Sequence, residues 1–253
     1  ALLLVAARLP GGIVARVDGP AVSMPYVDLT CGLLREFGIE VGVEAGRYRV
    51  EPCAYPGRTA RIEGDHSSAS CLLAAGAIVG GRVRVEGLRP DSLQPDARFC
   101  SLLASLGCAV ETGESFVEVR GGAGLEGFDV DLADAPDLAP AVVALALFAR
   151  GSTRVRGIAH LRYKESDRPA VLGDNLRALG CPAQVTDREL IVGPVDPGAL
   201  RGARIRTAGD HRMAMAFAVA GLRVEGVVVD DPGCVAKSFP GFWEAFAGME
   251  GGR

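Results

Sequence analysis

Apolar and polar positions recur along this chain in a fixed order. Leu3-Leu-Val-Ala-Ala-Arg-Leu-Pro-Gly-Gly12, Leu72-Leu-Ala-Ala-Gly-Ala-Ile-Val-Gly-Gly81 and Val143-Ala-Leu-Ala-Leu-Phe-Ala-Arg-Gly-Ser152 are runs of good helix formers that run into glycine. Behind each comes an alternating stretch that predicts a strand: Ile13–Val17, Arg82–Glu86 and Thr153–Arg156. A polar loop and a second helix follow, and that helix closes on an apolar residue and glycine at Phe37-Gly38, Leu106-Gly107 and Leu179-Gly180. A strand pair ends the unit, as in Ile39–Val43 with Tyr48–Val50 and Ala109–Glu111 with Phe116–Val119. The repeating unit is therefore βαβαββ, of about seventy residues.

The first helix of a unit is expected to follow a strand and an aspartate. Arg61-Ile-Glu-Gly-Asp65-His66, Val130-Asp-Leu-Ala-Asp-Ala-Pro-Asp137 and Ile205-Arg-Thr-Ala-Gly-Asp210-His211 fit that description. Aspartate is a strong N-cap, because its carboxylate accepts from the free N–H groups of the first turn. The helix behind Asp210, Met213–Leu222, is apolar nearly all round, which predicts a buried helix. The three helix starts are expected to gather at one end of a larger lobe. The pattern opens inside a helix at Ala1 and has no strand pair after the helix expected at Pro240–Met249. It reads as a fragment, the alternative being divergent terminal repeats.

Composition narrows this picture. The chain has 253 residues, enough for one large domain or one domain and part of another. Only 6% of them are aromatic, so the core must be built from Ala, Val and Leu. A net charge of −4 argues against a nucleic-acid partner but leaves room for a small anion held by a few local cations. The seven cysteines form no CxxC pair and read as small buried side chains in a reducing compartment. No segment reaches the roughly 18 apolar residues of a membrane span, and no signal peptide is recognised at Ala1–Ala7. The expected compartment is the cytoplasm, with no membrane partner, no metal ion and no cofactor.

Three basic helix starts carry candidate chemistry. Arg162-Tyr-Lys164-Glu165-Ser166-Asp167-Arg168 lies at a loop-to-helix junction where Ser166 or Asp167 serves as cap, and Lys164 and Arg168 are spaced to share a face. Gly209-Asp-His-Arg212 puts Arg212 in a first turn, and Lys237 precedes Ser238, the cap expected for a third helix. The N-terminal end of a helix already carries partial positive charge, so clustered cations there call for an anion. The alternatives are a solvated charged turn for the first motif and pairing with Asp210 or another carboxylate for Arg212.

Taken together, Lys164-Glu-Ser-Asp-Arg168, Gly209-Asp-His-Arg-Met-Ala-Met215 and Asp231-Pro-Gly-Cys-Val-Ala-Lys-Ser-Phe-Pro240 resemble three signature segments of the EPSP synthases (3-phosphoshikimate 1-carboxyvinyltransferases) in the family's order. Val22-Ser-Met-Pro-Tyr26, Glu63-Gly-Asp-His-Ser-Ser-Ala-Ser70, Ser92-Leu-Gln-Pro-Asp96 and Pro136-Asp-Leu-Ala-Pro140 resemble four more. The resemblance implies an α/β (α+β) enolpyruvyl transferase fold of βαβαββ units. Residues 1–57 would be part of an N-terminal-type domain, and 58–253 a C-terminal-type domain of three units with the last incomplete. It also implies transfer of the enolpyruvyl group of phosphoenolpyruvate to the 5-hydroxyl of shikimate-3-phosphate, with release of phosphate. Asp137 would accept the hydroxyl proton and Glu165 would protonate the methylene carbon. Arg168, Arg212 and Lys237 would hold phosphoenolpyruvate. Ser23, Tyr26, Asp137, His160 and Lys164 would contact shikimate-3-phosphate.

The family's N-terminal basic pair, its Asn-Ala-Gly-Thr-type loop and its Ser-Ser-Gln segment are not matched, and Met24 stands where a lysine is common. The chain is therefore expected to be inactive by itself. The competing readings are a non-catalytic anion-binding half of a split enzyme, whose partner chain is the missing segment, and a sister enolpyruvyl transferase acting on UDP-N-acetylglucosamine.

Overall fold

The computed structural model describes residues 1–19, 21–122 and 124–249. The chain divides into two units, Ala1–Glu63 with Leu93–Pro95, and Gly64–Ser92 with the chain from Asp96 onward.

In the smaller unit, α1 (Leu2–Ala6), β1 (Ile13–Arg16), α2 (Pro25–Glu36), β2 (Gly42–Glu44) and β3 (Arg47–Val50) follow one another, and β3 lies between β1 and β2 in an antiparallel sheet. The strand expected at Ile39–Val43 is displaced to Gly42–Glu44. The cause is the turn at Ala45-Gly46, where both residues have positive φ and fix the register Glu44↔Arg47. Ala6, Ala7, Cys31, Leu34, Ile39, Val41, Tyr48 and Val50 form this unit's core.

The larger unit opens with α3 (His66–Val79), β4 (Arg82–Glu86), α4 (Arg98–Ser105), β5 (Ala109–Gly113) and β6 (Phe116–Arg120), and the three strands form an antiparallel sheet. The strand expected before Asp65 is absent. The chain passes from one unit to the other at Glu63, and Gly64 donates its N–H to the carbonyl of Gly87, just past the end of β4, at 2.8 Å. Next come β7 (Leu125–Glu126), β8 (Asp129–Asp131), α5 (Ala139–Ala146), β9 (Ala149–Arg150), β10 (Thr153–Arg156), α6 (Arg168–Ala178), β11 (Ala183–Val185) and β12 (Glu189–Val192). The last elements are β13 (Arg204–Ile205), α7 (His211–Ala220), β14 (Val228–Val229) and α8 (Phe242–Gly248). β8 and β10 pair in parallel around α5, and β13 and β14 pair in parallel around α7. A parallel pair needs such a helical crossover, so the two stretches share one plan.

The helices α3, α5 and α7 pack against one another and are buried nearly all round. Much of their surface is alanine, which lets three helices approach closely in a core short of aromatic residues. Asp65 caps α3, accepting from the N–H groups of Ser67 and Ser68 at 3.0 and 3.1 Å. Asp210 caps α7, accepting from the Arg212 N–H at 3.0 Å. Asp137 does not cap α5, contrary to expectation. It sits in a 3₁₀ turn, Pro136–Leu138, and α5 begins without a side-chain cap. A cap bonds the second or third following amide; the third here is Pro140, which has no N–H, and the Asp137 carboxylate turns to Arg168 and Arg212 instead.

Candidate active site

The segment Ala159–Tyr163 is a 3₁₀ turn, and Lys164 follows it with extended backbone. Asp167 then caps α6 by accepting from the Ala170 N–H at 3.2 Å, with Pro169 in the first turn, where a missing N–H costs little. Arg168 is the first helical residue, and its side chain is buried inward, only 1% exposed.

Three carboxylates surround that guanidinium, one at each nitrogen. Nε donates to Asp210 Oδ2 at 2.8 Å, Nη1 to Asp137 Oδ1 at 2.7 Å and Nη2 to Glu165 Oε2 at 2.8 Å. Asp210 also accepts from the Ser166 hydroxyl at 3.1 Å. Asp137 carries two further cations, Lys164 Nζ at 3.5 Å and Arg212 Nη2 at 3.3 Å. Glu165 Oε1 accepts from Lys237 Nζ at 2.7 Å. Arg212 Nη1 donates to the Ser67 hydroxyl. Arg212 thus sits in the first turn of α7 while touching the first turn of α3 and the turn leading into α5, so the three helix starts meet at one guanidinium.

This arrangement settles how clustered cations are tolerated at helix N-termini: carboxylates from neighbouring elements lie among them. Arg212 pairs with Asp137, and the partner of Asp210 is Arg168. Lys164 and Arg168 meet through Asp137 and not along a helical face. Ser238 is no cap; Lys237 ends a 3₁₀ turn, Pro232–Lys237, and α8 starts at Phe242 with Gly241 in the cap position and no side-chain cap.

Four cations (Lys164, Arg168, Arg212, Lys237) face three carboxylates (Asp137, Glu165, Asp210), an excess of one positive charge. Burial pushes the Asp137 carboxyl up, but Arg212, Arg168 and Lys164 together bring it below the ordinary aspartate value. Burial also works against the Glu165 carboxylate, yet the Lys237 hydrogen bond and the Arg168 charge take its pKa down to about 2. Burial, then the nearby Arg212, lowers the His211 imidazole, and burial with Lys164 lowers His160. Both histidines are neutral at pH 7.

The larger unit therefore brings together Asp137, Lys164, Glu165, Arg168, Arg212 and Lys237. His160 stands beside Lys164, its Nε2 buried without a hydrogen-bond partner among the described residues. Ser23, at a positive φ of 60°, and Tyr26, in the first turn of α2, belong to the smaller unit. Sequence reasoning missed Ser67 and the inward role of Asp210, and read Ser166 as a candidate cap where it instead donates to Asp210. A polar run, His66-Ser67-Ser68, at the start of an otherwise apolar helix was the available signal for Ser67. Among the described residues no group of three or more His, Cys, Asp or Glu side chains is arranged to hold a metal ion, and no helix is long and apolar enough to cross a membrane.

An α/β chain of repeated helix-strand units with an Arg–carboxylate cluster at its helix starts defines a class, and comparison with known proteins gives it a family. The family model for EPSP synthase (3-phosphoshikimate 1-carboxyvinyltransferase) matches residues 1–246. The 3-phosphoshikimate 1-carboxyvinyltransferase of Methanoculleus marisnigri is 45% identical over 228 residues, covering 89% of this chain and 53% of that protein. That of Nostoc punctiforme is 38% identical over 252 residues, covering 98% and 58%. An EPSP synthase structure from Acinetobacter baumannii superposes with a TM-score of 0.80 at 27% identity over 96% of this chain and 57% of that one. The enolpyruvyl transferase NikO from Streptomyces tendae shares the fold, with a TM-score of 0.72 at 19% identity. The chain belongs to the EPSP synthase family. It spans between 53% and 58% of the length of the two curated relatives.

Proposed function

We propose that this chain supplies the phosphoenolpyruvate-holding cations and both proton-transfer carboxylates of a carboxyvinyl transfer from phosphoenolpyruvate to shikimate-3-phosphate. The observation that carries the reading is the single cluster in which Arg168, Arg212, Lys164 and Lys237 share Asp137 and Glu165. Both substrates are polyanions, and cations fixed in a partly dry site stabilise developing negative charge far better than water does.

Asp137 is ionised and so can accept a proton, and substrate anions that draw Lys164 and Arg212 away from it make it a stronger base. As the 5-hydroxyl oxygen bonds to the central carbon of phosphoenolpyruvate, its proton passes to Asp137. The methylene carbon takes a proton from Glu165, giving a tetrahedral intermediate. Loss of phosphate and of one methyl proton then restores the double bond. Glu165 is ionised before substrate arrives, so it must gain a proton to act as acid. An anion on Lys237 and Arg168 competes for the cations that keep Glu165 ionised and adds negative charge beside it. Both effects raise its pKa.

Lys164, His160, Ser23 and Tyr26 are assigned to shikimate-3-phosphate, and residues 1–57 and 58–253 to the family's N-terminal-type and C-terminal-type domains. Seven free cysteines fit the cytoplasm. The test is phosphate release from the two substrates, measured with the chain alone and again with the N-terminal portion of a family member added. Turnover that appears on mixing and vanishes in Asp137→Asn supports the reading. Turnover unaffected by Asp137→Asn contradicts it.

A further inference from the structure

We propose that Ser67 is a positioning residue that aims the Arg212 guanidinium at the bound anion. The inference rests on the reading of Arg212 as a phosphoenolpyruvate ligand, and assigns the residue that fixes its direction. Arg212 has two side-chain partners, and they differ in kind. Asp137 is charged, is shared with Arg168 and Lys164, and in the proposed reaction takes up a proton. Its hold on Arg212 therefore weakens when charge is developing on the substrate. The Ser67 hydroxyl is neutral and its acceptance from Nη1 does not depend on the protonation of Asp137.

Ser67 is also well anchored. It is 5% exposed, its N–H donates to Asp65 Oδ1 at 3.0 Å, and its carbonyl accepts from the Ser70 hydroxyl at 2.6 Å. It rides on α3, which is buried against α5 and α7, so the hydroxyl reports the position of the core to a residue 145 positions away in sequence. A hydroxyl suits this place better than a carboxylate, which would neutralise the charge Arg212 offers to an anion. A side chain with no acceptor would leave one guanidinium N–H unpaired and the group free to swing toward Asp137.

The experiment is calorimetric titration of phosphoenolpyruvate into Ser67→Thr and Ser67→Val, which have the same shape and differ in the hydroxyl, with Ser67→Ala as a variant adding no bulk. Each is measured in the wild-type and the Arg212→Ala background. Losing one hydrogen bond to a charged group predicts about tenfold weaker binding for Ser67→Val and Ser67→Ala, with Ser67→Thr close to wild type. In the Arg212→Ala background the same changes should cost nothing more, since Ser67 acts only through Arg212. Equal affinities for the Thr and Val variants, or a Ser67 effect that persists without Arg212, would overturn the proposal. If Arg212→Ala alone left affinity unchanged, the reading of the site itself would fall instead.

Discussion

Arg168 and Asp210 form an ion pair, Nε to Oδ2 at 2.8 Å, in which neither side chain meets solvent, with exposures of 1% and 0%. Such a pair costs much desolvation and is kept up only when every remaining donor and acceptor is satisfied. Here Arg168 Nη1 and Nη2 each donate to a further carboxylate, Asp137 and Glu165, and Asp210 takes Ser166 and the Arg212 N–H. One pair thereby fixes Asp137 and Glu165, the carboxylates of the proposed proton transfers, relative to the start of α7.

Removing Asp210 leaves the buried Arg168 Nε–H without its acceptor, while Asp137 and Glu165 still balance the charge. Asp210→Ala should lower unfolding free energy by about 2–4 kcal/mol, through that unpaired donor and the uncapped α7. Asp167→Ala, which removes an exposed cap, should cost only about 1 kcal/mol. Urea unfolding of the two variants checks the contrast.

Acid should weaken the fold through Glu165. Its pKa falls from 4.5 when unfolded to about 2 when folded, so its contribution is fully present above pH 4.5 and is lost as pH falls toward 2. The lowered Asp137 carboxyl acts in the same direction. The melting temperature of wild type should fall more steeply below pH 4.5 than that of Glu165→Gln. Parallel curves would show that Glu165 is not held as described.

Anion binding should bring a proton with it. At pH 5 the unliganded Glu165 is ionised, and an anion on Lys237 and Arg168 raises its pKa. Titrations of phosphoenolpyruvate in buffers of different ionisation enthalpy should show proton uptake that is reduced in Glu165→Gln. Equal uptake in the two proteins would contradict the link.

Thiol reactivity should sort by burial. Desolvation pushes Cys71 and Cys181 up to about 11, whereas Cys53 is exposed. At pH 8 a thiol reagent should modify Cys53 in the native state and reach Cys71 and Cys181 only after unfolding, as peptide mapping would show.

Much of this architecture is legible in the sequence because it is local. Glycines close the second helices at positive φ, at Gly38, Gly107 and Gly180, and Asp65 and Asp210 cap buried helices as their spacing predicts. What was misread turned on neighbours. Asp137 resembles the other two aspartates, but Pro140 removes one of the two amides it could cap, and its carboxylate goes to the arginines. The spacing of Lys164 and Arg168 suggests one helical face, yet Lys164 lies outside the helix. The Ser67–Arg212 bond spans 145 positions and follows from how three helices pack, which no local pattern records.

In the proposed function Lys164, Arg168, Arg212 and Lys237 form one anion site, and titration of phosphoenolpyruvate into wild type, Arg212→Ala and Lys237→Ala tests this most directly. Charge-assisted hydrogen bonds of about 1.5–3 kcal/mol predict affinity at least tenfold weaker in each variant. Unchanged affinity in both would contradict the account.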